Sequence, residues 1–322
     1  MQDAERPSSA TSATSRPRLD REPLHEFRVG SISVVPLVQF HYRVDIERFF
    51  PDAADWPLDR SAWYWQEPYV AGEQLVIDMG GFLVRAGDRT IIVDAGVGDA
   101  KTRPNPEFDS RHDDWTGLLG PLGIAESDID TVLFTHLHVD HVGNATRRDG
   151  DVWVPAFPRA EHFVAAAEID YWTGPGAQGD LDRLGNYLQD SILPLREAGV
   201  LTTTTGDYEV AEGVRVVERP GHTPGNVCIE VESDGARAVF VGDMVHHAVQ
   251  LAFPEWSTDY CVEYEQAATA RRALLSDLGP DDLLFAAHFP GSNPGRVRPT
   301  AGGGFRYLAA KPDRTFTGPA RA

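Results

Sequence analysis

From Phe27 onward, short runs of β-branched and apolar residues alternate with Gly, Pro and Asp punctuation, a pattern of strands rather than of long helices. The runs are SISVVPLV (31–38), QLVIDMGGFLVRAG (74–87), RTIIVDAG (89–96), TVLFTH (131–136) and VWVP (152–155) in the first half. HFVAA (162–166), VRVVERPG (214–221), NVCIEVES (226–233), ARAVFVGD (236–243) and DLLFAAH (282–288) follow. Helical spacing predicts elements around Glu126 to Ile129, Val142 to Arg148, Ala166 to Trp172, Asp180 to Leu195 and Glu263 to Leu278. Strand runs separated by helices in both halves predict sheets covered by helices, an α/β or α+β layered domain. Two stretches interrupt the pattern. Residues 40–72 carry Trp56, Trp63, Tyr64, Trp65 and Tyr69, and residues 172–206 hold Gly-Pro turns around a helix. Excursions of this kind commonly lie over a functional mouth.

The chain has 322 residues and 42% apolar content, enough to bury a large core without staples. No low-complexity linker divides it, so the expected organisation is a disordered N-terminal tail at 1–24, one domain over 25–310 and a C-terminal tail at 311–322. The two cysteines, Cys228 and Cys261, have no metal-ligand spacing and suggest no disulfide framework; Cys228 reads as a buried strand residue. With 29 Lys and Arg against 49 Asp and Glu, the net charge of −20 opposes a phosphate backbone, which argues against a nucleic-acid partner. No run approaches the ~18 to 20 apolar residues of a membrane span, and the first 23 residues contain no apolar segment resembling a signal-peptide core. The expected setting is cytoplasmic and the expected partner a small molecule, with a homodimer as the candidate assembly.

Candidate chemistry concentrates at the ends of strand runs. Thr135-His136-Leu137-His138-Val139-Asp140-His141 places four metal-ligand side chains within six residues, just after the run 131–134. Imidazole and carboxylate suit divalent zinc, and a turn after a strand can aim alternate side chains at neighbouring cations. His222, Asp243 and His288 each follow another apolar run. Either histidine alone reads as a structural residue; together the three make a constellation at strand ends, where clefts in layered sheets form. Trp56, Trp63, Trp65, Phe157, Trp172 and Phe289 are candidates to wall an apolar pocket or to pack as ordinary core. No cluster of Arg or Lys along the sequence suits a strongly anionic substrate.

HxHxDH, then PGHTPG, then GD after a strand, then AH, in that order, resembles the metallo-β-lactamase superfamily of hydrolases over residues 72–290. The resemblance implies an α+β fold, the αββα sandwich of two mixed β-sheets flanked by helices. It implies two divalent cations, with His136, His138 and His222 at one, Asp140, His141 and His288 at the other, and Asp243 bridging. Zinc is favoured over iron because di-iron flavoprotein relatives have Glu where this chain has His138. Asp94 matches the family's early strand-end aspartate, which supports the ligand loop; a simple turn carboxylate is the other reading. RPGHTPGN, VGDMVHH and AHFPG are most similar to the methyl parathion hydrolase and N-acyl homoserine lactonase branch. Many lactonases place a tyrosine three residues after the bridging aspartate, where this chain has His246. The candidate catalytic residues are therefore Asp140, for handling a proton, and His246, as a hydrogen-bond donor to substrate, with His247 an exposed neighbour. Gly143-Asn144 stands where Gly-Gly is frequent. The implied activity is hydrolysis of a neutral, fairly apolar ester-like bond: a lactone, an aryl or carboxylic ester, or a phosphotriester. The alternatives are a thioesterase, a β-lactam hydrolase, or a non-catalytic metal-binding protein of the same fold.

Overall fold

The computed structural model describes residues 22–56, 58–290 and 294–317. Along the first half run strands β1 (Leu24–Val29), β2 (Ile32–Asp45), β3 (Val70–Ala71), β4 (Gln74–Ala86), β5 (Arg89–Val93) and β6 (Thr131–Leu133). Then come β7 (Thr146–Asp149), β8 (Val152–Pro155), β9 (Glu161–Ala165) and β10 (Leu201–Thr204). The second half contributes β11 (Tyr208–Ala211), β12 (Val214–Glu218), β13 (Val227–Ser233), β14 (Ala236–Phe240), β15 (Leu283–Phe285), β16 (Gly295–Pro299), β17 (Phe305–Ala309) and β18 (Arg314–Phe316). The helices are α1 (Ile46–Phe49), α2 (Val139–Val142), α3 (Ala166–Trp172), α4 (Gln178–Leu184), α5 (Leu188–Ser191), α6 (Leu193–Glu197), α7 (Val249–Ala252) and α8 (Tyr264–Asp277).

Two mixed sheets result. The first has the order β10-β9-β6-β5-β4-β2-β1-β18, with β3 beside β4, and the second runs β11-β12-β13-β14-β15-β16-β17. In the first sheet β5, β6, β9 and β10 are parallel. In the second only β14 and β15 are parallel. Parallel neighbours require crossover connections, and the segments after β5, β6, β9 and β14 leave the sheets on that account.

The two-residue period of a strand sends alternate side chains to opposite faces. Along β5, Ile91 and Val93 join the core between the sheets while Ile92 joins the core on the other side; along β14, Ala238 and Phe240 face inward and Val239 outward. Phe27, Phe82 and Val84 of the first sheet meet Val216, Ile229, Phe240 and Phe285 of the second in the inner layer. Edge-to-face rings cross it, Phe82 to Phe240 at 5.0 Å and Phe27 to Phe285 at 6.3 Å between centroids. The outer core takes Leu274 and Leu275 of α8 on the second sheet. Helix, sheet, sheet, helix is therefore the layer order, and the α+β sandwich expected from the motifs is present. Among the described residues no helix is long and apolar enough to cross a membrane.

Several elements depart from the sequence pattern. The helix expected over 142–148 is a single turn ending at Val142, after which Thr146–Asp149 pairs with β8 in a hairpin. A longer helix does not form because the Gly143 and Asn144 N–H groups donate instead to the Gly96 and Ala95 carbonyls, each at 2.7 Å. The helix expected over 180–195 is three short ones, broken at Gly185, whose φ is +83°, and restarted at Pro194. Around Glu126 only a three-residue 3₁₀ turn forms. Leu24, placed in the N-terminal tail, already begins β1; the rest of that tail up to residue 21 lies outside the described residues. The C-terminal tail is corrected too, because Arg314–Phe316 pairs with β1, Leu24 opposite Phe316. Three residues are too few to show alternation in sequence.

Candidate metal centre

After β6 the chain bends at Thr135 and enters α2 after His138, whose own backbone is extended. His136 and His138, on either side of Leu137, both reach the same ligand group; Asp140 and His141 follow on the helical turn. The loop after β12 carries His222, the turn after β14 carries Asp243, and the segment after β15 carries His288. These are strand ends from both sheets, and the structure gathers all seven predicted residues there. His136, His138, His222 and Asp243 form one group, and Asp140, His141 and His288 a second, each with its ligand atoms within 4.8 Å of one another. His138 Nδ1 lies 2.8 Å from both His136 Nε2 and His222 Nε2. Asp243 divides its carboxylate between the groups. Its Oδ2 is 3.3 Å from His222 Nε2 and 3.6 Å from His136 Nε2, and its Oδ1 is 3.0 Å from His141 Nε2 and 2.9 Å from His288 Nε2.

The surrounding hydrogen bonds fix which ring nitrogens carry lone pairs. The Thr135 hydroxyl donates to Asp94 Oδ2, so the His136 Nδ1 beside it at 3.0 Å is the donor of that pair and Nε2 is left with a lone pair. His141 Nδ1 donates to Asp94 Oδ2 at 2.9 Å, and His288 Nδ1 donates to the Asp78 carbonyl at 2.7 Å. Their Nε2 lone pairs then face Asp243 Oδ1, and among the described residues the buried His141 Nε2 and Asp243 Oδ1 have no hydrogen-bond partner. Lone pairs aimed at a carboxylate oxygen from about 3 Å repel unless a cation lies among them. The donor set thus fits two divalent cations. Burial holds His136 and His138 well below the ordinary histidine range and brings His222 to about 4, leaving neutral rings. Burial also opposes charge on His141 and His288, but there Asp243 prevails and raises both, so a proton competes with a cation for those two rings.

A second layer orients the first. Asp94 accepts from the Thr135 main chain and hydroxyl, both at 2.8 Å, and from His141, so it braces the ligand loop as well as a ligand. Glu168 of α3 was not anticipated. Fully buried, its Oε2 accepts from Leu137 N and Trp172 Nε1, both at 2.9 Å, and its Oε1 from Gly225 N at 2.8 Å. One carboxylate thereby ties the His136–His138 loop to the His222 loop. Nothing in the local sequence marks it, since an acidic residue in the first turn of a helix is ordinary. Asn144 donates to Gln39 Oε1 at 3.2 Å, and Gln39 Oε1 also accepts from Val97 N, which gives the departure from Gly-Gly a structural role.

A cavity of about 360 Å³ opens over the ligands. His138, Asp140, Asp243, His246 and His288 form its floor, and Tyr42, Phe49, Ile77, Met79, Phe108 and Tyr260 give it apolar walls. Phe49 comes from the first excursion, Arg183 and Leu184 from α4 within the second, and Arg103 from the long connection between β5 and β6. None of the six aromatics proposed from sequence lines it. Trp65, Phe157, Trp172 and Phe289 are buried in the outer core, Trp63 packs against that core, and the exposed Trp56 packs against Phe253. His247 is likewise not exposed: it is fully buried, its Nε2 2.8 Å from the Tyr69 carbonyl, and burial lowers its pKa to about 4. His246 does line the cavity. Gln250 Oε1 lies 3.3 Å from its Nδ1, while Gln250 Nε2 donates to the Trp256 carbonyl and so fixes which way the amide points. The ring proton is on Nδ1, and Nε2, 3.2 Å from Asp243 Oδ2, is an acceptor in the resting site. Burial lowers its pKa, with Asp243 opposing.

The likenesses agree with this geometry. An N-acyl homoserine lactonase of Bacillus sp is 26% identical over 182 residues, 53% of this chain and 64% of that protein. One of Bacillus cereus is 24% identical over 205 residues, 60% of this chain and 73% of its own length. The chain thus spans a little under two thirds of the Bacillus sp relative. Among solved structures, hydrolase AbOPH, described as in the beta lactamase superfamily, superimposes with a TM-score of 0.73 at 23% identity, covering 90% of this chain and 98% of its own. AidC, a dizinc quorum-quenching lactonase in complex with a product, gives 0.74 at 20% identity, covering 89% and 97%. At such identities these two structures speak for the fold alone. The homodimer finds no support in the chain or its likenesses. Residues 81–288 match the model of the metallo-beta-lactamase superfamily, a span of well over half the sequence that runs from β4 to the last ligand, and the chain belongs to that superfamily.

Proposed function

We propose that this chain is a binuclear metal-dependent hydrolase of neutral ester-like bonds, lactones and aryl or carboxylic esters first and phosphotriesters second. The observation that carries the reading is the convergence of seven ligand side chains beneath an apolar-walled cavity, with Asp243 offering one oxygen to each group. His136, His138 and His222 would hold one cation, Asp140, His141 and His288 the other, and zinc is the ion this imidazole-rich set favours. Two such cations, when bound, supply Lewis acidity and a water of lowered pKa. His246 Nε2, kept neutral by burial, accepts the proton released on attack and returns it to the leaving oxygen. Asp140, partly open to the cavity, is the second group placed to carry that proton. Apolar walls favour an aliphatic or aryl arm, and relatives described as N-acyl homoserine lactonases make a lactone the first substrate to try.

The test is turnover of acyl-homoserine lactones, aryl esters and methyl parathion by protein of measured metal content. Activity that vanishes with a chelator and returns with zinc, at about two metals per chain, supports the reading. Melting temperature should follow the same cycle, since a ligand present at 100 times its Kd stabilises by about 2.7 kcal/mol. Metal uptake without turnover of any of these compounds would leave a binding protein instead.

A further inference from the structure

Three arginines far apart in sequence, Arg48, Arg103 and Arg183, line the cavity of a chain whose net charge is −20. Two of them are committed. Both Nη atoms of Arg103 bind Asp190, at 2.7 and 2.8 Å, in a knot that includes the buried Lys101. Arg183 Nη2 lies 3.0 Å from Asp180 Oδ1, and its guanidinium sits over the Tyr260 ring at 4.7 Å. Arg48, exposed on α1, differs: among the described residues no carboxylate lies within ion-pair distance of it. An arginine that pairs with no described carboxylate, in a protein with 49 acidic residues and on the lining of an apolar cavity, is available to a ligand. Asp259, exposed on the same wall, would repel an anion, which leaves the Arg48 side of the mouth as the favourable place for one.

We infer that Arg48 is a specificity-determining residue that selects substrates whose apolar arm ends in a carboxylate. The scissile bond lies over the metal ligands, the arm runs along Tyr42, Phe49 and Phe108, and the terminal anion reaches the guanidinium at the rim. This inference rests on reading the cavity as an ester-hydrolysing site, so its test separates the two.

Metal-loaded full chain is assayed on 4-nitrophenyl hexanoate and on the mono-4-nitrophenyl ester of hexanedioic acid, which has the same chain length and adds a terminal carboxylate. The readout is the ratio of kcat/KM, anionic over neutral. For an exposed charge pair, Arg48→Gln should lower that ratio about two- to five-fold, Arg48→Glu should lower it further, and added salt should shrink the difference. Arg306→Glu, a charge change exposed on β17 outside the cavity, should leave the ratio alone. Neutral ester turned over with a ratio unmoved by either Arg48 variant would overturn the inference and keep the hydrolase. If neither ester turns over, binding decides. 6-Acetamidohexanoate and its uncharged counterpart N-pentylacetamide are compared by ligand-observed NMR in wild type and Arg48→Glu. A preference for the carboxylate that the variant abolishes supports the role of Arg48; equal affinity, or no binding of either, overturns it.

Discussion

Replacing Glu168 by glutamine changes one atom at the junction of two ligand loops. The carboxylate accepts two donors on Oε2, from Leu137 and Trp172, and one on Oε1, from Gly225. A glutamine can keep its carbonyl where Oε2 stood, but its NH₂ must then face the Gly225 N–H, donor against donor. Leaving one buried donor unsatisfied costs about 1–3 kcal/mol, and the charge assistance of the other two bonds is lost as well. Leu137 lies between His136 and His138, and Gly225 lies three residues beyond His222, so the strain falls on three ligands of one group. Disturbing an outer partner of a metal ligand commonly weakens metal affinity about 10- to 100-fold. The assay is competition with a chromogenic chelator at fixed pH, paired with thermal unfolding of the metal-loaded and chelated forms. Glu168→Gln should lose more stability loaded than chelated, with metal affinity down by at least tenfold. Equal losses in both forms at unchanged affinity would show Glu168 to be a core hydrogen-bond hub with no bearing on the metal groups.

Other outcomes follow from the same contacts. His246→Phe should lower kcat at least roughly 100-fold while leaving metal content intact, because the proton-carrying Nε2 is lost while all seven ligands remain; steady-state kinetics with metal analysis checks this, and full activity would remove His246 from the mechanism. Gly143→Ala should lower stability and metal affinity together, since a Cβ there overlaps the Val97 carbonyl and pushes on α2; calorimetry and metal titration measure both. His162, fully buried against Phe134, is held by burial at about 4. Because the unfolded chain binds this proton more readily, its contribution is present above pH 6.5 and lost as pH falls from 6.5 toward 4, up to about 3 kcal/mol. His162→Leu should flatten that limb of a stability profile measured by urea unfolding; an unchanged limb would place the acid sensitivity elsewhere.

The metal ligands were legible because chemistry is local there: four of them lie within six residues, and the other three each close an apolar run. Asp94 was legible in position, and its two alternatives are separated only by the bonds to Thr135 and His141. Glu168 and Gln250 were not, because each acts on residues brought to it by the fold. The cavity walls failed for the same reason. Tryptophans dominate the sequence of the first excursion, yet their large apolar area draws Trp65 into the outer core and leaves Phe49, Tyr42 and Tyr260 at the mouth. The arginines of the rim escape any search for a basic run, being separated by tens of residues. Strands β10, β11, β17 and β18 were missed because they are short and partly exposed at sheet edges, where pairing rather than a hydrophobic face sustains them, and β16, one strand in from an edge, because only two of its five residues are buried.

Each ligand group draws members from both sheets: His136 and His138 with His222 and Asp243, and Asp140 and His141 with His288. A cation in either group would therefore act as a reversible cross-link, closing a loop of chain as a disulfide does. His138 and His222 are 84 residues apart, and fixing the ends of a loop of that size removes about 4 to 5 kcal/mol of chain entropy from the unfolded ensemble. The aromatic layer between the sheets needs no such clasp. Stripping the ions should thus let the ligand edge breathe, visible as faster amide exchange in the loops after β6, β12 and β15, while β5 and β14 stay protected by the packing of Phe82, Phe240 and Phe285.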